Sequence, residues 1–263
     1  MLQVFCADVG GGNIKIHIRY LVAAIVILFF LGFVFYFVNL FTGNPVSAFI
    51  ASHKIRDYVA VTYPALDLEL SEVKYSFTNS TYGCHAQSKK SEDTKFYIGY
   101  SHGRVSDDYE YEVANHFTTY RRLSKDFNDM VTEIIEKEYP HKTTLIISDL
   151  IGDTQQLTPD TPLNLNNMPL QLSLTVHILS EVRNEDRMAA ILLELHRLML
   201  SKDIKIDQYT LCLDEPVPEE SKPGSGNKLY LDDFPAKNIT DDQKSLTSVI
   251  RKHQLAINKN DKK

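Results

Sequence analysis

The chain has 263 residues, a formal net charge of −6 and a hydrophobic content of 43%. Together with 13 phenylalanines and 14 tyrosines, this content argues for folded cores rather than for disorder. The acidic balance argues against binding to nucleic acid, or to an anionic membrane surface, through bulk charge. Cysteine is sparse, with Cys6, Cys84 and Cys212 spread along the chain.

A charge-free apolar stretch occupies residues 20–41. In helical form, about 20 apolar residues cross a hydrocarbon core of roughly 30 Å, so the stretch predicts a transmembrane helix. A buried core helix is the alternative, and the length of the charge-free run argues against it. The run also exceeds the roughly 7–15 apolar residues of a signal peptide, and no Ala-x-Ala pattern follows it. We therefore expect an uncleaved anchor that contacts the lipid bilayer through residues 20–41.

Positive charges near the two ends of this stretch predict its orientation. Lys15 and Arg19 lie just before it, whereas the first positive residues after it are Lys54 and Arg56. Because positively charged flanks stay in the cytoplasm, the nearer flank favours a short cytoplasmic amino terminus over residues 1–19, in which we expect no fold. The protein is then single-pass in the cell membrane, with its C-terminal domains extracytoplasmic.

Residues 43–140 predict a first small α+β domain. A break at Gly43-Asn44-Pro45 precedes a helix over 46–63, which Pro64 ends. Alternating apolar and polar residues then predict strands over 66–77, 81–88 and 95–100, and residues 105–111 form either a fourth strand or an extension. A long helix follows over 112–139, and its apolar stripe should pack against the apolar face of this sheet. The stripe contains Val113, Phe117, Tyr120, Leu123, Phe127, Met130 and Ile134.

Residues 141–258 predict a second α+β domain, followed by a frayed tail over 259–263. Strands are expected over 144–151, 170–179, 204–213 and 229–234, and helices over 184–200 and from a capping box that begins at Thr240. Polar loops fill 152–169 and 214–228, and we expect the second to be mobile. The fold class is therefore α+β: an N-terminal transmembrane helix, then helix–antiparallel meander–helix, then strands with two helices.

A series of short motifs after the apolar stretch carries a family resemblance. The motifs are Gly43-Asn44-Pro45, Tyr63-Pro64-Ala65-Leu66-Asp67-Leu68, Val73-Lys74-Tyr75-Ser76-Phe77, Gln87-Ser88, Ser91, Asp93-Thr94, Phe96, Asp108-Tyr109-Glu110 and Arg122-Leu123. Through them the chain resembles, mainly over residues 43–139, the amino-terminal part of YfjL-like proteins, a group of uncharacterised single-pass membrane proteins of Gram-positive bacteria. The resemblance implies a membrane-anchored protein of a Gram-positive cell, and it supplies no catalytic residues to carry over.

The residues that could carry chemistry form no recognised motif. The sequence contains neither a His-x-x-x-His nor a Cys-x-x-Cys pair, so no zinc signature appears. Ser71-Glu72-Val73-Lys74 has the Ser-x-x-Lys form, but the partner motifs of penicillin-binding enzymes are absent. Cys84 and His85 should point to opposite faces of a strand, and His102 either reaches Cys84 across a hairpin or occupies the turn. A Cys84–Cys212 disulfide would link the two domains; otherwise each cysteine is a small buried hydrophobe.

Two further features each have a structural and a functional interpretation. Acidic doublets at 107–108, 219–220, 232–233 and 241–242 lack the ligand alternation of a calcium loop, so we expect them on the solvated surface. Aromatic residues are dense in the first strands, and most should pack in the core or across strands. Tyr97 should lie on the wet face, where it could belong to a peptide or glycan platform. We predict no catalytic, no cofactor-binding and no metal-binding residue.

The sequence leaves several classes of function open. The first is a membrane-anchored, non-catalytic binding or scaffolding protein of the bacterial cell envelope, without cofactor or nucleic acid and with an envelope protein or a peptide as partner. The second is an envelope hydrolase whose site assembles from residues distant in sequence. A third is a protein that only senses or spaces. We favour the first, because no catalytic motif accompanies the anchor; a deep pocket with convergent histidine, serine or carboxylate groups would favour the second.

Overall fold

The structure of the chain, a computed structural model, describes residues 11–216 and 228–260. It is 48% helical and 26% strand, with an N-terminal apolar helix before two sheet-containing regions, which confirms the predicted α+β class. The chain divides into two compact units: Met1–Lys90 with Phe96–Asp108, and Ser91–Lys95 with Tyr109–Lys263. The domain boundaries expected from the sequence remain a prediction.

The first helix, α1 (Gly11–Thr42), contains the apolar stretch. Its segment Tyr20–Asn39 has a mean hydropathy of 3.0, and none of this segment is buried inside the protein. The prediction of no fold in residues 1–19 is wrong from Gly11 onward, because α1 begins there. Extension of a helix that has already nucleated costs little, which explains the early start. Residues 1–10, with Cys6, lie outside the described residues.

A sharp junction separates α1 from the second helix, α2 (Pro45–Thr62). Gly43 has a left-handed backbone conformation with φ of 75°, and its N–H donates to the carbonyl of Asn39 at 2.9 Å, which ends α1. Asn44 then caps α2, because its side chain accepts a hydrogen bond from the N–H of Val46 at 2.8 Å. The new helix therefore starts with an axis of its own instead of continuing α1.

The first unit contains a five-stranded sheet in which β3 is the common partner. The strands are β1 (Leu68–Leu70), β2 (Lys74–Ser76), β3 (Thr81–Ser88), β4 (Lys95–Ser101) and β5 (Arg104–Asp107). Their order is β1-β3-β4-β5, and β2 also pairs with β3. The single strand predicted over 66–77 is therefore two strands, since residues 71–73 belong to neither. The core of this unit lies between α2 and one face of the sheet: Ala51, Ile55, Cys84, Ala86, Phe96 and Ile98.

The second unit combines a four-stranded sheet with helices. Its main elements are α3 (Phe117–Glu138), β6 (Thr143–Ile151), β7 (Gln171–Leu179), α4 (Glu185–Ser201), β8 (Gln208–Asp214), β9 (Lys228–Pro235) and α5 (Gln243–Asn260). The strand order follows the chain; β7 and β8 are parallel and joined through α4, and the other two pairs are antiparallel. Alternate residues of β7, from Leu172 to Ile178, are buried in the core with α3 and α4. The other face of the sheet is left without a helix of this core.

The long helix α3 differs from its prediction in both setting and core face. The sequence predicts that it completes the first domain, whereas in the structure its apolar face belongs to the core of the second unit. The buried apolar residues are Leu123, Phe127, Val131 and Ile135, and Met130 of the predicted stripe is 39% exposed. The predicted stripe begins too early, because Val113 lies in a separate π-helical turn, Glu110–Ala114, which changes the helical phase.

The last helix also begins differently from its prediction. Asp242, not Thr240, caps α5: its side chain accepts a hydrogen bond from the N–H of Ser245 at 2.8 Å. The helix continues to Asn260, so the predicted tail is helical at its start, and residues 261–263 lie outside the described residues. The loop predicted over 214–228 also lies mostly outside them, and its expected mobility stays a prediction.

A buried ion pair fastens two loops of the second unit to α3. The Asp93 carboxylate accepts two hydrogen bonds from the Arg122 guanidinium, both at 2.8 Å, and a third from the N–H of Asp160 at 2.7 Å. Arg122 also donates to the carbonyl of Thr161 at 2.9 Å. Burial raises the pKa of Asp93, but these donors outweigh burial, so the pKa lies below its ordinary value. The ionised pair thus stabilises the folded state.

We predict that Asp93→Asn lowers the free energy of unfolding at pH 7 by about 2 kcal/mol, because it removes the buried carboxylate from a largely buried guanidinium and leaves it the exposed Glu92, at 2.7 Å, as its nearest carboxylate. The folded-state pKa of Asp93 is depressed, so its contribution is complete above the unfolded pKa of about 3.9 and disappears as pH falls through the folded value. The difference between wild type and variant should therefore shrink in acid. Urea unfolding of the full chain in mild detergent, at pH 7 and below pH 4, measures both effects.

Asp126→Asn is the matched control, because Asp126 lies 3.9 Å from the same guanidinium but on the surface. Its cost should stay below about 1 kcal/mol at either pH. Equal costs for the two variants, or a difference that grows in acid, would contradict the assignment.

Candidate functional site

The two cysteines of the described residues are both free thiols. Cys84 and Cys212 are each buried in their own unit, so the alternative of a disulfide between them does not hold in this structure. Burial raises the pKa of the Cys84 thiol. His102 lies with Gly103 in the two-residue turn between β4 and β5, where both residues have positive φ, at 49° and 80°. This conformation accounts for the turn without any role in chemistry.

The acidic doublets of the described residues have structural partners. Asp107 accepts hydrogen bonds from the hydroxyls of Tyr58, at 2.6 Å, and Tyr63, at 3.0 Å, and so joins the end of α2 to β5. Asp233 accepts one from a side-chain amide of β8 at 2.7 Å. The doublet at 219–220 lies outside the described residues.

A shallow cavity of about 300 Å³ lies on the wet face of the first sheet, opposite α2. Its lining comes from three parts of the chain: the link between β1 and β2 with β2 itself, β3, and β4. The chemistry-bearing residues around it are Ser71, Glu72, Lys74, His85 and Tyr97. Its volume is at the lower end of the range for ligand pockets, roughly 300–1,000 Å³.

Gly83 forms the floor of this cavity, and Tyr97 lies across it. A methyl group at Gly83 would overlap the Tyr97 hydroxyl and approach the carbonyl of Ile98 to 2.7 Å, so only glycine lets the tyrosine ring cross β3. His85 meets the edge of the Tyr97 ring, with the ring centres 5.5 Å apart. The absence of a side chain at one strand position therefore makes both the cavity and its aromatic wall.

Burial raises the pKa of Tyr97, and the nearby Cys84 and Asp108 add to the shift. The phenol therefore stays neutral at physiological pH and can donate or accept a hydrogen bond beside an aromatic surface. The backbone N–H of Tyr97 donates to Asp108 at 2.6 Å, and that of His85 donates to the Ser71 hydroxyl at 3.0 Å. These bonds hold the wall and one rim of the cavity in place.

The sequence predicts some of these positions and misses their convergence. Tyr97 lies on the wet face, as the alternation of β4 indicates, and Ser71 with Lys74 stands out as a formal motif. The approach of His85 to Tyr97, and of both to Ser71, depends on how β1, β2 and β4 pair with β3. Local sequence patterns do not predict which strands pair, so the only sequence signal for the cavity is the glycine at position 83.

A larger cavity, of about 490 Å³, lies in the second unit beside α3 and the loop after β6. Its lining contains apolar, amide and hydroxyl side chains but no ionisable one: Leu123, Gln156, Leu157, Thr158, Thr161, Pro162, Asn164, Asn167, Met168 and Pro169. The cavity of the first sheet, which combines a cation, a carboxylate, an imidazole and a phenol, is therefore the better candidate site.

The second sheet also contains a polar cluster, centred on Asp214. His177 of β7 pairs in register with Cys212 of β8, and both lie on the face opposite the helices. The Asp214 carboxylate accepts hydrogen bonds from the Cys212 thiol and the Thr144 hydroxyl, each at 3.2 Å. It also forms an ion pair with the Lys228 ammonium at 3.1 Å. Burial raises the pKa of Asp214, but its donors outweigh burial and bring the pKa below its ordinary value. Sequence reasoning missed this cluster, because its members come from different strands.

His177, Cys212 and Asp214 have their ligand atoms within 4.8 Å of one another, a set that zinc accepts in principle. Two observations argue that the group is a structural network instead. The Lys228 ammonium already neutralises the carboxylate, and burial with the neighbouring Asp214 raises the pKa of the Cys212 thiol to about 12. A metal would have to displace Lys228 and remove that proton, so these residues do not form a prepared metal site.

Comparison with protein-family models gives two matches. The model described as YfjL-like, N-terminal domain, matches residues 18–109, which include the cavity of the first sheet. The model described as YfjL-like C-terminal domain matches residues 126–248, so the similarity extends well beyond the predicted 43–139. Neither the curated proteins nor the solved structures gave a match.

Proposed function

This chain belongs to the YfjL-like family, and we propose that it is a membrane-anchored, non-catalytic binding protein of the bacterial cell envelope. The observation that carries the proposal is the helical segment Tyr20–Asn39, which is long and apolar enough to span a bilayer and is buried against nothing in the protein. Exposure of so much apolar surface to water would be strongly unfavourable, at about 25 cal/mol for each Å². A bilayer removes that cost.

The proposed orientation places the amino terminus in the cytoplasm and both units outside, in a single-pass cell-membrane protein of a Gram-positive cell. Lys15 and Arg19 support it as the nearer positive flank. The network at Asp214 and the buried Cys84 thiol need no disulfide, so the folded units are suited to either side of a membrane. Orientation therefore rests on the flanking charges.

We expect protease added to intact protoplasts to remove a tag placed at Lys263, because the tag follows the extracytoplasmic units. The control is a tag before Lys15, which should survive until the cells are lysed. Survival of the Lys263 tag in intact protoplasts would reverse the orientation. Extraction of the protein from membranes by alkaline carbonate would refute the anchor.

The cavity on the first sheet is the proposed binding site, with an envelope protein or a peptide as the ligand. Its polar rim is exposed, and Tyr97 supplies a rigid aromatic surface with a hydrogen-bonding end, the combination that dominates many binding surfaces. A cavity of about 300 Å³ accommodates one or two side chains of a partner rather than an entire small molecule with a buried reaction centre. Both thiols of the described residues are buried and protonated, so neither is a nucleophile.

A photo-crosslinking residue at His85, on the rim, should capture a defined partner in intact membranes. Tyr97→Ala should abolish most of this capture, because it removes the aromatic wall. Tyr111→Ala is the control, since Tyr111 is a surface tyrosine, 53% exposed, that lies outside the cavity. Capture that survives Tyr97→Ala, or is lost equally in Tyr111→Ala, would show that the cavity is not the binding site.

An envelope hydrolase remains the alternative, favoured by one observation: Ser71, Lys74 and His85 border the same cavity. Against it, the Ser71 hydroxyl accepts a hydrogen bond from the backbone N–H of His85, and within the described residues it donates none to a histidine or carboxylate side chain that could act as its base. We expect the purified full chain to leave wall peptides, glycans and simple esters uncleaved. Turnover that Ser71→Ala abolishes and Ser76→Ala leaves intact would establish the hydrolase instead.

A further inference from the structure

An apolar patch surrounds the point where the anchor helix meets the first unit. We call it the membrane-proximal patch, and its members are Phe41, Val46, Phe49, Ile50 and Phe77. We propose that this patch lies in the interfacial region of the same bilayer that α1 crosses, so that the first unit rests on the lipid surface. The inference rests on the anchoring proposed above and adds to it a second, peripheral contact with lipid.

The junction holds the first unit firmly against the end of α1. The Tyr82 hydroxyl accepts a hydrogen bond from the N–H of Asn44 at 2.6 Å, and a side chain at Gly43 would collide with Tyr75 and with that hydroxyl. The rings of Phe41 in α1 and Phe77 in the turn after β2 also meet edge to face, with centres 5.8 Å apart. The unit therefore follows α1 without a flexible linker, and its position relative to the bilayer is set by the anchor.

The side chains of the membrane-proximal patch are apolar and exposed, whereas a surface that faces water is usually polar. Phe49 is 63% exposed and Phe77 is 61% exposed. On α2, Val46, Phe49 and Ile50 follow each other at three and four residues and so share one face, whereas Ala51 and Ile55 face the core. This arrangement gives the first turns of α2 two apolar faces, and the protein itself covers only one of them.

The exposed apolar face of α2 is close enough to the end of the membrane-spanning segment for lipid to cover it. A span over Tyr20–Asn39 uses about 30 Å of helix, the thickness of the hydrocarbon core, so Phe41 already lies in the interface. Ile50 lies eight residues beyond Thr42, at most about 12 Å further along a helix. Interfacial helices bury their apolar face about 5–10 Å into the headgroup boundary, and a distance of at most about 12 Å keeps the first turns of α2 within or next to this region. Lipid is therefore the covering surface that the anchor itself brings into contact.

Docking on lipid would also place the candidate binding site near the headgroups. Lys74 and Tyr75 line the cavity of the first sheet and also line a second cavity of about 340 Å³ beside the junction, together with Thr42, Gly43 and Asn44. A ligand at the first cavity would thus approach along the bilayer surface. Envelope peptides or proteins that are themselves attached to the membrane fit this geometry best.

Tryptophan substitution tests the proposal, because the chain contains no tryptophan of its own. Single variants Phe49→Trp and Phe77→Trp report on the patch, and Phe30→Trp reports on the anchor. The control is Lys89→Trp: Lys89 is exposed and directly follows β3, about 20 Å along that strand from Tyr82, which binds the junction. The full chain is reconstituted in phosphatidylcholine vesicles, with and without brominated phosphatidylcholine, and quenching by lipid and by aqueous acrylamide is compared.

We expect Phe49→Trp and Phe77→Trp to give blue-shifted emission that brominated lipid quenches, like Phe30→Trp, and Lys89→Trp to give red-shifted emission that acrylamide quenches. If only Phe30→Trp is quenched by lipid, the anchor stands and the docking of the patch is refuted. Blue-shifted emission at Phe49 and Phe77 without lipid quenching would mean that protein, such as a second copy, covers the patch, which also refutes it. Loss of lipid quenching at Phe30 would refute the anchor.

Discussion

The structure depends first on the need to keep one apolar helix out of water. The segment Tyr20–Asn39 is long and apolar enough to span a membrane, and none of it is buried inside the protein; in the proposed function a bilayer covers it. Three features end this helix and begin the next one within a few residues. Gly43 ends α1, Asn44 caps α2, and the Tyr82 hydroxyl binds the backbone between them. If α1 is the proposed anchor, this connection sets the position of the first unit relative to the bilayer.

Beyond the anchor, each unit covers one face of its sheet with helices and leaves another face for contact. In the first unit the core lies between α2 and residues such as Cys84, Phe96 and Ile98, which places Tyr97 and His85 on the opposite face. In the second unit the same alternation places His177 and Cys212 opposite the helical core. Because neighbouring residues of a strand point to opposite faces, the chemistry-bearing residues of both units lie on the sheet faces that the core helices do not cover.

Local patterns predicted the elements well and their assembly less well. The strand Thr81–Ser88 has the predicted bounds, because its alternation is flanked by clear turn residues. Failures occurred where distant pairing decides the outcome: residues 66–77 divide into two strands because both halves pair with β3. The apolar stripe of α3 was displaced because a π-helical turn precedes it. Neither the Gly83 cavity nor the Asp214 cluster could be predicted, since each is assembled from strands whose order the sequence does not state.

The two polar clusters differ in what a ligand would have to displace. At Asp214, a thiol, a hydroxyl and an ammonium already satisfy the carboxylate, so a ligand would gain contacts only by breaking internal ones. Around Gly83, by contrast, the rim side chains are exposed and the neutral Tyr97 ring is held in place by its backbone bond to Asp108, so a ligand would displace only water. A preorganised wall with a solvated rim favours binding, whereas a saturated network favours stability. This difference, more than the volume of either cavity, supports the proposal that the binding site lies in the first unit.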